Sequence, residues 1–276
     1  MNDPIIEQFV MSDSTSLAGR RFPAVGQRRG TIVFVHGIRS HSGWYLRSCR
    51  ELAQAGWDVA FPDRRGSGMN PEHRGDCPSF RRLMDDVIEV ASAEKKQGGP
   101  VVVAGISWGG KIAVSLPYRQ PGILDGMVLI TPGIVPKVGM PWPLKAQIAT
   151  ARFIQPTKHF PIPLNDPALF TNSEEGKAFI DADQLGLRLA TARFLFNSVQ
   201  LDLYVRRALK AVKCPVLLFS AGQDRIADPE KSRNVLCRIP GLTEIHYPEA
   251  GHTLEFEGNC PFVADMTQWL EKNTLR

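Results

Sequence analysis

The sequence predicts an α/β protein: a mostly parallel, doubly wound sheet with a helical cap insertion. Three observations carry that prediction. Short apolar runs rich in β-branched residues, suited to strands buried on both faces, recur at 31–35, 101–103 and 126–131. Between them lie stretches with apolar residues at helical spacing, and such alternation implies parallel strands joined by crossover helices. The stretch 136–213 breaks the alternation, with no strand signal and seven prolines between Pro136 and Pro167.

Taken in order, 5–10 and 16–22 are strand-like runs separated by the turn-rich Met11-Ser12-Asp13-Ser14-Thr15, a first hairpin. Thr31-Ile32-Val33-Phe34-Val35 is the first buried strand and ends in His36-Gly37-Ile38. A helix is expected over 44–55, ended by Gly56, then a strand over 57–61 and the loop Pro62-Asp63-Arg64-Arg65-Gly66-Ser67-Gly68. Phe80, Leu83, Val87, Val90 and Ala91 share one helical face, so an amphipathic helix runs to about Lys96, where Gly98-Gly99-Pro100 closes it. Val101-Val102-Val103 leads through Gly105-Ile106-Ser107-Trp108-Gly109 into another helix, and 126–131 forms the next strand. Helix-like runs at 144–154, 173–181 and 184–209 fill the insertion. The expected division is therefore a core of 1–135 and 214–276 with a cap of 136–213. The sheet resumes at 214–220, a helix follows over 228–238, a last strand over 243–247, and Phe262, Val263, Met266, Trp269 and Leu270 mark a closing helix.

Composition narrows the class of function. A chain of 276 residues with 43% hydrophobic content can bury a large core without staples. Its five cysteines are odd in number, widely spaced and free of zinc-type pairing, so they read as free thiols in a reducing compartment. Neither a leader-like N-terminus nor an apolar run of ~18 residues is present, and a soluble cytoplasmic protein is the expectation. The net charge of +5 comes largely from scattered arginine pairs that are not interleaved with stacking aromatics, which argues against nucleic acid. A basic field would still favour anionic lipid or an acidic substrate. Oligomeric state is not legible.

The chemistry centres on Ser107. A G-x-S-x-G arises by chance in roughly one chain of this length in ten, so its context decides its meaning. Here it sits between a buried strand and a helix, where a sharp turn holds the serine hydroxyl clear and the helix N-terminus faces a developing oxyanion. Serine needs a base, and chemistry in such sheets gathers beyond the carboxyl ends of the strands. Asp224 and His252 each follow a predicted strand end, in the chain order Ser, Asp, His. Asp228 competes with Asp224 but reads as a helix N-cap before Pro229. His246 falls within a strand, and His41, His73 and His159 precede the acid. Backbone amides of Ile38 and Trp108 are the expected oxyanion donors, with His36 in a structural hydrogen bond.

Together, His36-Gly37-Ile38 with His41-Ser42-Gly43-Trp44-Tyr45, the loop Asp63 to Gly68, Gly105-Ile106-Ser107-Trp108-Gly109-Gly110, Gly222-Gln223-Asp224 and Gly251-His252 resemble the monoacylglycerol lipase and lysophospholipase branch of the α/β-hydrolases. Asp166-Pro167-Ala168-Leu169-Phe170 extends the resemblance into the cap. It implies a serine carboxylester hydrolase with an acyl-chain pocket under the cap and no metal or organic cofactor. Small esters, lactones, thioesters or amides are the alternative substrates, and a non-enzymatic ligand receptor on the same fold is a further one. A dehalogenase is disfavoured, since its nucleophile would be an aspartate. Departures from the family pattern are Arg39 and Ser40 after Ile38, Asn70, and the bulky Trp108, which would narrow the pocket near the reacting carbonyl. Arg39, next to Ile38, is expected at the mouth of the site, either pairing with an anionic substrate group or exposed without a ligand. Five phenylalanines, Phe153, Phe160, Phe170, Phe194 and Phe196, are candidates for pocket lining.

Overall fold

Strands that are apolar along their whole length should be covered on both faces, and in the computed structural model every residue of β3 (Gly30–Val35), β5 (Val101–Ile106), β6 (Gly126–Ile130) and β9 (Val216–Ala221) is buried. The structure describes residues 3–258 and 260–275. With β1 (Ile5–Val10), β2 (Ser16–Phe22), β4 (Trp57–Pro62) and β10 (Leu242–Tyr247) these strands form one eight-stranded sheet in the order β1-β2-β4-β3-β5-β6-β9-β10. The hairpin β1-β2 and the β2-β4 pair are antiparallel, and every other pairing is parallel.

Helices supply the cover: the crossover helices α1 (Leu46–Gln54), α2 (Phe80–Lys95), α3 (Gly109–Arg119) and α7 (Pro229–Leu236), and the closing helix α8 (Phe262–Thr274). Ser79 begins α2 by accepting a hydrogen bond from the Arg82 amide, and Asp228 begins α7 by accepting one from Lys231, the capping role the sequence assigns it. Between β6 and β9 the chain leaves the sheet and forms α4 (Trp142–Ile154), β7 (His159–Pro161), α5 (Glu174–Ala182), β8 (Leu189–Thr191) and α6 (Ala192–Ala208), with α6 packed on both α3 and α4.

Two local expectations need correcting. The helix expected over 184–209 starts only at Ala192, because Leu189–Thr191 gives its backbone to an antiparallel pairing with His159–Pro161 and Thr191 then caps α6 by accepting from the Phe194 amide. The insertion thus holds a two-stranded ribbon where no strand is expected. The helix expected from Trp44 opens with a 3-10 turn over Ser42–Tyr45 and becomes α-helical only at Leu46. Several arginine pairs are also less free than composition suggests. Arg21 binds Glu7 and Glu94, Arg28 binds Asp58, and Arg65 binds Asp86 and Asp13.

Candidate active site

Ser107 follows β5 directly and adopts φ 51°, a left-handed conformation costly for a residue with a Cβ. The surrounding bonds hold it there. Its amide donates to Ile130 O at 3.0 Å, and its carbonyl accepts from Gly110 at 3.0 Å and Gly133 at 2.9 Å. The flanking glycines are needed for the tight approach of strand and helix: a Cβ on Gly105 would lie 2.7 Å from Ala113 Cβ, and one on Gly109 would lie 2.1 Å from Val35 O.

His252 and Asp224 are both buried, and both stand past strand ends, in the loops after β10 and β9. His252 Nε2 lies 2.8 Å from Ser107 Oγ, and its Nδ1 lies 2.7 Å from Asp224 Oδ2. The Ile226 and Ala227 amides, each at 2.8 Å, donate to Asp224 Oδ1 and aim the carboxylate. With Nδ1–H given to the carboxylate, Nε2 is the nitrogen left to accept the serine proton. Such a chain can activate a hydroxyl and return its proton to a leaving group. His246 Nδ1 instead meets Ser220 Oγ at 2.8 Å within the strands.

Supporting contacts appear that spacing alone does not reveal. Thr131, itself at φ 41°, donates its hydroxyl to His252 O at 2.7 Å, and Lys137 Nζ donates to Asp224 O at 2.6 Å. Thr131 is visible in the sequence only as a strand end; its partner is 121 residues away. The Phe170 ring sits edge-on to His252 at 6.2 Å.

The loop after β3 approaches the serine closely, since a Cβ built on Gly37 would lie 3.3 Å from Ser107 Cβ and 3.6 Å from its Oγ. Among the described residues, the Ile38 and Trp108 amides donate to no protein acceptor, and both residues line the cavity beside Ser107. His36 is fully enclosed. Its Nε2 accepts from the Arg64 amide at 2.9 Å, so Nδ1 carries the proton and donates to Gly37 O at 2.8 Å. Burial, then the Arg64 charge, holds its pKa well below the ordinary histidine value, and the ring is neutral.

Arg39 does not lie at the mouth of the site. It is 2% exposed, with its guanidinium donating to Leu164 O and, at 3.3 Å, to Ile180 O, and lying 5.5 Å over the Phe170 ring. The expectation of either a headgroup ligand or an exposed loop arginine is corrected: the 136–213 segment folds over the loop and takes the charge as an internal clamp. Leu187 N donates to Arg39 O at 2.8 Å, and Asp183 accepts from Trp44 Nε1 at 2.7 Å and meets His41 Nε2 at 3.2 Å. One face of the loop bearing Ile38 is therefore tied to the insertion.

A cavity of about 470 Å³ opens from Ser107 between the sheet and the insertion. Its wall is mainly apolar, including Met140, Ile148, Leu164, Leu195, Phe196 and Val199. Of the five candidate phenylalanines only Phe196 reaches it. Phe194 stacks on Trp108 at 5.4 Å, Phe170 packs on Trp44 at 5.5 Å, Phe160 is buried elsewhere, and Phe153 is exposed. Trp108 lines the cavity as expected, its indole fixed by a 2.8 Å bond from Nε1 to Ser198 Oγ.

Three residues past His252, Glu255 caps α1 from across the molecule, its Oε1 accepting from the Arg47 amide at 2.9 Å and the Ser48 amide at 3.2 Å. Its Oε2 is buried without a hydrogen-bond partner, and Arg47 Nη2 stands off at 3.8 Å. Burial pushes its pKa up to about 7 against these opposing contacts. Between its ordinary 4.5 and about 7 the folded protein holds a proton that the unfolded chain has released, so stability falls as pH rises through that window. Glu255→Gln is expected to remove the slope, gaining on the order of 2 kcal/mol over the parent by pH 7.5. Thermal unfolding of both proteins from pH 4.5 to 8 checks it; a constant difference across the range would refute it.

Comparison with known proteins adds the lineage. The family model described as serine aminopeptidase, S33, matches residues 26–259. The chain belongs to this family of α/β-hydrolases. The hydrolase is 28% identical over 230 residues to the human monoglyceride lipase, spanning 81% of this chain and 74% of the relative. It is 26% identical over 253 residues to the monoacylglycerol lipase of Mycolicibacterium smegmatis, covering 88% of each. A soluble variant of the Saccharomyces cerevisiae monoglyceride lipase, solved with a substrate analogue, superposes with a TM-score of 0.86 at 19% identity, covering 100% of this chain and 97% of that one. The protein is a serine hydrolase with the α/β-hydrolase fold.

Proposed function

We propose that the hydrolase cleaves carboxylic esters of monoacylglycerol, lysophospholipid or similar acyl lipids through an acyl-enzyme on Ser107. The observation that carries this reading is the Asp224–His252–Ser107 chain, at 2.7 and 2.8 Å, opening into a mainly apolar cavity. Ser107 Oγ attacks the ester carbonyl while His252 Nε2 takes its proton. The carbonyl oxygen becomes an anion received by the Ile38 and Trp108 amides. Collapse of the tetrahedral intermediate breaks the bond to the alcohol, which leaves with the proton from His252. Water, deprotonated by the same imidazole, then releases the acid and restores the serine. Asp224 holds the imidazole orientation and stabilises its cationic form.

In this reading residues 136–213 are a cap over a core of 1–135 and 214–276, and the cavity between them holds the acyl chain. Its volume lies within the roughly 300–1,000 Å³ of small-molecule sites, and its wall is predominantly apolar, as an acyl chain requires. The relatives named for monoacylglycerol hydrolysis support the substrate class. An exposed apolar stripe on α4, Trp142 and Phe153 each 78% exposed with Ala146 and Ala149 between them, has Lys145 and Arg152 beside it and fits transient contact with a lipid surface. Among the described residues no helix is long and apolar enough to cross a membrane.

A p-nitrophenyl ester series from acetate to palmitate, run beside monoacylglycerol and lysophosphatidylcholine, tests the assignment. The expected result is a maximum in kcat/KM at medium or long chains, with monoacylglycerol or lysophosphatidylcholine turned over. Phe196→Ala should move that maximum to longer chains by several-fold in relative kcat/KM, because it deepens the wall. Highest activity on acetate, with no response to Phe196→Ala, would favour a small-ester hydrolase instead.

A further inference from the structure

Arg64 occupies the loop after β4, yet its guanidinium is buried beneath the site. Nη1 donates to Gly37 O at 3.2 Å and Nη2 to Ile38 O at 3.1 Å. The same group lies 5.0 Å from the Trp108 ring centroid and 5.2 Å from that of Phe194. Among the described residues it joins no ion pair; its partners are two carbonyls and two aromatic faces. Desolvation lowers its pKa only to about 10, so the charge is present at neutral pH.

We propose that Arg64 is a positioning residue of the oxyanion hole, ordering and polarising the Gly37–Ile38 peptide while bracing Trp108. The proposal rests on the Ile38 and Trp108 amides being the donors. Gly37 O and the Ile38 N–H belong to one peptide group, so a hydrogen bond accepted at the oxygen withdraws electron density from the nitrogen and makes the N–H a stronger donor. The donor at that oxygen is a cation, which strengthens the effect. His36 Nδ1–H supplies a second bond to the same oxygen, and the Arg64 amide selects the tautomer that makes this available. One residue therefore governs both contacts on the carbonyl behind the first donor, and its guanidinium stacks on the side chain of the second. A positive charge unneutralised by an ion pair, fixed behind a developing oxyanion, favours the transition state over the neutral ground state. Arg39, on the same loop as Ile38, makes no such contact, since its guanidinium donates to Leu164 O and Ile180 O of the insertion.

The test compares the parent with Arg64→Met, which keeps length and apolar packing but removes charge and donors, and with Arg64→Lys, which keeps charge without the fork. A p-nitrophenyl ester is the substrate and an alkyl trifluoromethyl ketone the transition-state analogue. Arg64→Met is expected to lower kcat 10- to 100-fold with KM within threefold, and to weaken the ketone by the same factor as kcat/KM. Arg64→Lys should recover part of both. If Arg64→Met fails to fold, Arg64→Lys decides: a loss in ketone affinity at least threefold greater than any change in KM supports the role. Unchanged kcat in Arg64→Met, or a ketone affinity that tracks KM in either variant, overturns it. Ser107→Ala separates the layers: if it stays active the site assignment itself fails, whereas inactive Ser107→Ala beside fully active Arg64→Met defeats this inference alone.

Discussion

Ser107→Ala is expected to lower kcat for ester hydrolysis by about 10⁶-fold while leaving the protein folded. Only the Oγ atom is lost, and among the described residues its one side-chain partner is His252 Nε2; the backbone bonds to Ile130, Gly110 and Gly133 remain. Catalysis then falls to what transition-state binding supplies without the nucleophile, roughly 10³–10⁴ over water in comparable sites. Ser107→Gly should be equally inactive yet more stable, by about 1 kcal/mol, because glycine adopts φ 51° without the penalty a Cβ incurs. A fluorophosphonate probe with peptide mapping checks the chemistry: one label at Ser107 in the parent and none in either variant. Stoichiometric labelling of Ser107→Ala would place the nucleophile at another residue.

Much of this site is local information. Strands such as Val101–Ile106 are buried on both faces and therefore apolar throughout, a signal any window of five residues carries. Gly105 and Gly109 flank Ser107 because strand and helix nearly touch there, so the turn is written in adjacent residues. Asp224 and His252 are legible because they follow strand ends in the expected chain order. The remainder is long-range. Arg39 reads as a surface charge until the insertion closes over it, and its acceptors, Leu164 O and Ile180 O, are backbone atoms 125 and 141 residues away that no side-chain pattern advertises. The ribbon of Leu189–Thr191 with His159–Pro161 escapes for a similar reason: three residues are too few for an alternation signal, and Thr191 can cap a helix whether or not a strand precedes it. Phe194 and Phe196 are two apart on α6, and only the fold turns one towards Trp108 and the other towards the cavity.

Asp224→Asn is expected to cut kcat by about 10⁴-fold with little change in KM. The wild-type carboxylate uses Oδ1 for the Ile226 and Ala227 amides, and only Oδ2 faces His252. An asparagine keeps its carbonyl on the two amides, since its NH₂ cannot accept from them, and so presents that NH₂ to Nδ1. The imidazole must then accept at Nδ1 and carry its proton on Nε2. That nitrogen can no longer take a proton from Ser107 Oγ, 2.8 Å away, although every heavy atom stays in place. Asp228 provides the contrast, because its carboxylate caps α7 through the Lys231 amide at 3.0 Å. Asp228→Ala should lower the unfolding temperature modestly through loss of the cap and leave kcat within a few-fold of the parent. Steady-state kinetics with thermal unfolding on both variants decides the assignment, and a larger loss of turnover in Asp228→Ala than in Asp224→Asn would reverse it.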